Sequence, residues 1–131
     1  MTERWQPVTL GNDDPGPAGA YSRAIRAGSL LFLSGHVPRD PDSGALLGDD
    51  LESQTRGVLR NIQRTLEAGG GSLGDLVAVT VYLSDIGDWD RFDTVYREIL
   101  RPPYPTRTTL GASLHGVLIE ISGIAVVASP R

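Results

Sequence analysis

The stretch from Asp49 to Leu83 constrains the fold more than any other. Leu51, Thr55, Val58, Leu59, Ile62 and Leu66 recur at spacings of three and four, which marks one apolar stripe on a helix over Leu51–Ala68. Asp49-x-x-Glu52 offers a capping box for its first amides. Gly69-Gly70-Gly71 stops it, since glycine tolerates the left-handed turn at a helix end. After Ser72–Asp75 the period changes to two. Val77, Val79, Val81 and Leu83 then face one way and Leu76, Ala78, Thr80 and Tyr82 the other, a strand over Leu76–Leu83. A helix with one apolar stripe and a strand of this kind bury each other, so the chain is built in layers of helix on sheet.

The flanking segments extend that unit. Residues 1–18 read as an N-terminal lead-in, with a short strand at Trp5–Leu10 and then the turn chemistry of Gly11–Gly19. Tyr21–Arg26 and Leu30–Leu33 form a hairpin through Ala27-Gly28-Ser29, and the apolar run Leu30–Leu33 suggests a strand buried on both faces. Val37–Gly48 is a Pro-, Asp- and Gly-rich loop. A second helix runs from Asp88 or Trp89 to Leu100, with Asp88 as its cap and Trp89, Phe92, Tyr96 and Ile99 as its apolar face. Arg101-Pro102-Pro103 ends it. Strands follow at Thr106–Ala112 and Leu118–Val127, and the tail from Ala128 is short. The order is β-β-α-β-α-β-β, an α+β arrangement, and 131 residues fit one domain, 1–131. The crossover rule places both helices on one face of the sheet. The other face, largely Val, Ala and Leu, then wants a partner.

Composition removes several chemistries. There is no Cys, hence no disulfide and no thiolate nucleophile or ligand. There is no Lys, hence no Schiff base; all 12 basic residues are Arg. A net charge of −4 and a pI of about 5.0 give no basic groove for nucleic acid. No apolar run approaches a spanning helix, and the N-terminus lacks an apolar signal core, so a cytoplasmic location is expected. Ser34 or Ser113 with His36 or His115 makes a poor nucleophilic triad. No Gly-x-Ser-x-Gly elbow is present around either Ser. Two His without ligand spacing make no metal site. The triple glycine follows a helix rather than preceding one, so it is no phosphate loop.

Two charges stand out in segments that otherwise want burial. Arg107 follows Pro105-Thr106, and Glu120 interrupts Val117-Leu118-Ile119 and Ile121. They could be a structural salt bridge or two solvent-facing residues. They could also be functional: an Arg at a strand start can grip a carboxylate, and desolvation of the Glu would raise its pKa toward proton-transfer use. If their strands were hairpin neighbours, Glu120 would lie opposite Thr109 and Arg107 diagonal to it on the same face.

With those residues in hand, the chain resembles the RidA/YjgF/UK114 family of reactive-intermediate deaminases, also described as endoribonuclease L-PSP-like. The resemblance covers about Gly19 to Val127. It is carried by Gly19-Ala20-Tyr21, Ser34-Gly35-His36-Val37-Pro38, Gln54 and Asn61, Glu67-Ala68-Gly69-Gly70, Val79–Leu83, Tyr104-Pro105-Thr106-Arg107 and Ile119-Glu120-Ile121. It implies a chorismate-mutase-like α+β subunit, a homotrimer with active sites between subunits, and last strands that are not hairpin neighbours. It implies that Arg107 clamps a substrate carboxylate and that Glu120 positions and activates water. Tyr21, Ser34 and Gly35 would line the pocket, with Thr109 contributing largely backbone. The implied reaction takes a 2-aminoacrylate-like enamine or imine to a 2-oxo acid and ammonia, with no metal or cofactor. Three positions depart from the family pattern: His36 for Gln, Asp93 for Asn, and Thr109 for Cys. The loop between Arg107 and Glu120 is also shorter. If Asp93 reaches the pocket, its charge opposes a carboxylate substrate. The alternatives are a non-catalytic ligand-binding or chaperone-like trimer of the same fold, and a homolog hydrolysing another ring or amide.

Overall fold

The computed structural model describes residues 4–128, so the first three residues of the lead-in and the end of the tail lie outside it. Six strands, β1 (Gln6–Val8), β2 (Ala24–Ala27), β3 (Leu30–His36), β4 (Leu76–Leu83), β5 (Thr106–Gly111) and β6 (Ile119–Val126), form one sheet. Their order across it is β1-β2-β3-β6-β4-β5. Only β4 and β5 run parallel. Helices α1 (Leu51–Ala68) and α2 (Trp89–Ile99) pack together on one face. The expected α+β architecture is therefore present, with the lead-in strand shortened to three residues.

The helix faces match their stripes. Leu51, Thr55, Val58, Leu59, Ile62 and Leu66 are all buried. They meet Leu31, Leu33, Val79, Val81, Leu83, Ile119 and Ile121 from the sheet. From α2, Phe92, Val95 and Tyr96 are buried, whereas Trp89 is 39% exposed at the first turn. Each fully buried Leu, Ile or Phe contributes roughly 1.5–3 kcal/mol. Helix α1 ends as expected: Gly70 takes φ +91°, and a Cβ on Gly69 would stand 2.7 Å from a Leu31 methyl, so the helix end lies flat on β3.

Four local expectations are corrected. The cap of α1 is Asp50, not Asp49: Asp50 is the residue in extended conformation, and its carboxylate accepts from the Ser53 amide at 2.7 Å. Asp88 precedes α2 but makes no capping bond; its carboxylate accepts from Arg91 Nη1 at 3.1 Å. The run Leu30–Leu33 is buried on one face only, with Phe32 43% exposed on the other. In β4 the alternation slips at a bulge between Leu76 and Ala78, so Leu76 turns to the core and Val77 is 44% exposed. The outer face carries Phe32, Leu110 and Val126 in exposed positions.

Candidate active site

Strand β4 separates the two charged residues. Arg107 pairs with Val79 of β4, and Glu120 pairs with Tyr82. Val79 is a core residue, so Arg107 projects toward the helices. Glu120 alternates with buried Ile119 and Ile121 and projects to the outer face. Two strand spacings and three register steps put their backbones roughly 14 Å apart. The hairpin-neighbour geometry does not occur, nor does a salt bridge between them.

Arg107 sits in a box built by α2. Its guanidinium carbon lies 5.1 Å from the Trp89 ring centre, 5.1 Å from Phe92 and 4.8 Å from Tyr96. Nη1 donates to Asp93 Oδ1 at 2.8 Å, and Arg97 Nε donates to Asp93 Oδ2 at 2.9 Å. Asp93 is thus shared by two guanidinium groups. Partial burial disfavours its charge, but the bonds from Arg97 and Arg107 outweigh that and hold the carboxyl below its usual value. Trp89, Asp93, Tyr96, Arg97 and Arg107, with Tyr104 and Pro105, line a pocket of about 320 Å³. Two hydroxyls are buried without a hydrogen-bond partner, that of Tyr96 in this pocket and that of Thr109, two residues beyond Arg107 on β5. Burial pushes the Tyr96 phenol up to about 12, so it keeps its proton.

Glu120 is positioned by backbone. Between Leu33 and His36, β3 takes three steps where β6 takes two, a bulge that sets Gly35 directly over Glu120. A Cβ on Gly35 would lie 2.9 Å from the Glu120 carboxyl carbon and closer still to Oε2, so any side chain there would displace that carboxylate. Glu120 is half-buried on the outer face. Tyr21, Ser34 and Gly35 do share a second, larger pocket of about 460 Å³. Tyr21 is 54% exposed in it. The Ser34 hydroxyl donates to the Ser22 carbonyl at 2.6 Å and anchors the segment that carries Tyr21.

His36 closes the floor of that pocket. Nδ1 lies 2.7 Å from the Ser34 carbonyl, which can only accept, so Nδ1 carries the proton. Nε2, 2.8 Å from Thr65 Oγ1, accepts from that hydroxyl. Burial pushes the imidazole pKa down, and the ring is a neutral pin between β3 and α1. Gln54 and Asn61 are pins too: Gln54 accepts from the Leu118 amide at 2.8 Å, and Asn61 donates to the Val37 and Arg39 carbonyls at 2.9 and 2.7 Å.

The structure therefore brings Arg107 and Asp93 to one pocket, and Tyr21, Ser34 and Gly35 to another. Glu120 lies against Gly35 without lining that second pocket, and Thr109, two residues beyond Arg107 on the same face of β5, lines neither. Sequence reasoning missed Arg97, although a position four residues beyond Asp93 on one helix was a usable signal. It also missed Asp14. That carboxylate pairs with Arg23, whose Nη2 reaches Oδ1 at 2.6 Å and Nε reaches Oδ2 at 2.9 Å. It also accepts from the Leu10 and Gly16 amides, both at 2.8 Å, and so folds the lead-in over the larger pocket.

Fold and site together define a mixed-sheet α+β subunit with an Arg corner and a Glu corner, and the profile of the endoribonuclease L-PSP family matches residues 11–127. A RutC family protein of Pyrococcus horikoshii is 45% identical over 120 residues, which cover 90% of this chain and 95% of that one. Reactive Intermediate Deaminase A, chloroplastic, of Arabidopsis thaliana is 34% identical over 115 residues, 86% of this chain and 62% of that protein. The crystal structure of RidA from the Antarctic bacterium Psychrobacter sp. superposes with a TM-score of 0.85 at 30% identity, covering 93% of this chain and 99% of that one. The chain belongs to the RidA/YjgF/L-PSP family. Among the described residues, no helix is long and apolar enough to cross a membrane.

Proposed function

We propose that this chain is a cofactor-independent hydrolytic deaminase of reactive enamine and imine intermediates of 2-aminoacrylate type. The observation that carries this reading is Arg107: a guanidinium framed by three aromatic rings at the wall of a pocket sized for a small carboxylate. The Arabidopsis relative, named as a reactive intermediate deaminase, supports the reaction class.

The chemistry needs little equipment. The enamine CH2=C(NH2)–COO⁻ tautomerises by moving a proton from nitrogen to the terminal carbon. The resulting imine holds its carboxylate on Arg107. Glu120 takes a proton from water as the water oxygen bonds to the imine carbon and passes it to the nitrogen, giving the carbinolamine. The carbinolamine then collapses: its hydroxyl proton moves through Glu120 to the nitrogen, the carbonyl forms, the C–N bond breaks, ammonia leaves, and a 2-oxo acid remains. Water adds to such imines unaided, so positioning plus one proton relay is sufficient.

Arg107 and Glu120 face opposite sides of one sheet, so a single chain cannot place both on one small ligand. The proposal therefore includes a second copy: Arg107 of one chain meets Glu120 of the next, in a homotrimer whose contacts cover Phe32, Leu110 and Val126.

The test couples a serine or threonine dehydratase to the purified protein and follows enamine loss and 2-oxo acid release. The expected result is faster decay with wild type than without it. No acceleration by wild type sinks the reading, and equal acceleration by Arg107→Ala removes the residue assignment.

A further inference from the structure

The pocket beside Arg107 already contains a carboxylate, and we propose that Asp93 determines specificity there: it restricts the pocket to ligands with a single negative charge and excludes short dicarboxylates. This inference rests on the reading of Arg107 as a carboxylate clamp.

Three side chains set the charge of the pocket. Arg107 and Arg97 are cationic, and Asp93 receives a hydrogen bond from each, at 2.8 and 2.9 Å. The trio carries one net positive charge. Within the chain the other walls, chiefly Trp89, Tyr96 and Tyr104, add none. A monocarboxylate on the remaining edge of Arg107 uses up that single positive charge, and Glu120 of the next chain, in the proposed assembly, adds only negative charge. A second carboxylate on the same short ligand would stand among aromatic rings with no counter-charge of its own, close to Asp93.

The two arginines are not equivalent partners. Arg97 has a side chain 69% exposed, so water and salt screen its charge. Asp93 and Arg107 are only 15% and 17% exposed, and their charges act with less screening. Arg107 cannot turn away to serve a second carboxylate without leaving the rings of Trp89, Phe92 and Tyr96. Asp93 stays ionised, because the two guanidinium bonds outweigh its partial burial. The charge a ligand meets is therefore that of a clamp half neutralised by its own protein.

The test measures calorimetric affinities of the full chain for two five-carbon acids, 2-oxopentanoate as the monoanion and 2-oxoglutarate as the dianion. Wild type is expected to bind the monoanion roughly tenfold more tightly. Asp93→Asn keeps an oxygen for Arg107 and removes the charge. It is expected to tighten the dianion by roughly tenfold, the monoanion by less, and so to collapse the ratio. Arg97→Gln, at an exposed position, is expected to weaken both ligands and the dianion more. Thermal melts confirm that each variant is folded. A wild type that prefers the dianion, or a ratio unmoved by Asp93→Asn while Arg107→Ala abolishes binding, overturns this inference alone. Failure of both ligands to bind overturns the clamp reading and this inference with it.

Discussion

The Arg107 corner and the Glu120 corner are held by different physics. Arg107 is fixed by electrostatics within one chain: an ion pair, a second guanidinium behind it and three aromatic faces. Glu120 is fixed by backbone shape: a bulge in β3 places the one residue without a side chain over its carboxylate. The first corner is enclosed by its own helix. The second lies on the open face of the sheet and is complete only when something covers it. On the proposed reading, a chain prepares the anion clamp alone, while the proton-transfer group is completed by a neighbour.

The largest expected effect tests that division directly. Arg107→Ala should lower turnover by roughly a hundredfold or more, and Glu120→Gln by roughly 10²–10⁴-fold. The two inactive proteins, unfolded together and refolded as mixed trimers, should recover about a quarter of wild-type activity. Sites then form in which Arg107 comes from one variant and Glu120 from the other. Mixtures as inactive as their components would show that both groups act from one chain, against the opposite-face geometry.

Next in size is the support of the larger pocket. Asp14 and Arg23, with side chains 4% and 15% exposed, hold the lead-in over the larger pocket. Asp14→Ala strands Arg23 and should cost about 3 kcal/mol in urea unfolding at pH 7. The bonds from Arg23 act first against burial, and the Leu10 and Gly16 amides add to them, so the Asp14 carboxyl lies well below the usual carboxylate range. A depressed pKa stabilises the fold above the unfolded-state value, about 3.9, and that stability is lost as pH falls toward the folded value. The gap between wild type and variant should therefore be constant near neutrality and narrow below about pH 4. A gap that widens in acid would contradict the pairing.

Gly35→Ala should follow. The new methyl meets the Glu120 carboxylate, so either the bulge or the carboxylate moves, at a cost of about 2 kcal/mol. Activity should fall with Glu120 displaced, whereas binding of a carboxylate at Arg107 should not change. Loss of that binding as well would mean that the Glu120 side also holds the carboxylate.

The parts of this architecture that were legible in the sequence are those written in local periodicity. The stripe from Leu51 to Leu66 and the alternation through β4 each depend on neighbours a few residues away, and both helices appear where their stripes place them. Arg107 and Glu120 stood out as charges in apolar segments, and the resemblance gave each its expected role. What stayed hidden depends on partners distant in the chain. The face of Arg107 follows from its register with Val79, and no local pattern reports that β4 lies between β5 and β6. The same holds for Asp14, whose partner lies nine residues on across a turn-rich segment. The one-residue error at the α1 cap arose because Asp49 and Asp50 are chemically identical candidates, and only the backbone angles separate them.

The smallest expected effect bears on whether the Arg107 corner is complete within one chain. Tyr96 is buried, its ring supports the guanidinium, and its hydroxyl has no partner. An unpaired buried hydroxyl costs stability, and its removal with the ring kept should return some of it. Tyr96→Phe should therefore leave the aromatic box intact and raise unfolding stability by about 1 kcal/mol. Turnover should be unchanged, since the phenol, pushed up to about 12 chiefly by burial, cannot exchange a proton near neutrality. A variant less stable than wild type would mean that the hydroxyl is bonded in the assembled protein. The Arg107 corner would then also be completed from outside the chain, and the contrast with Glu120 would narrow to one of degree.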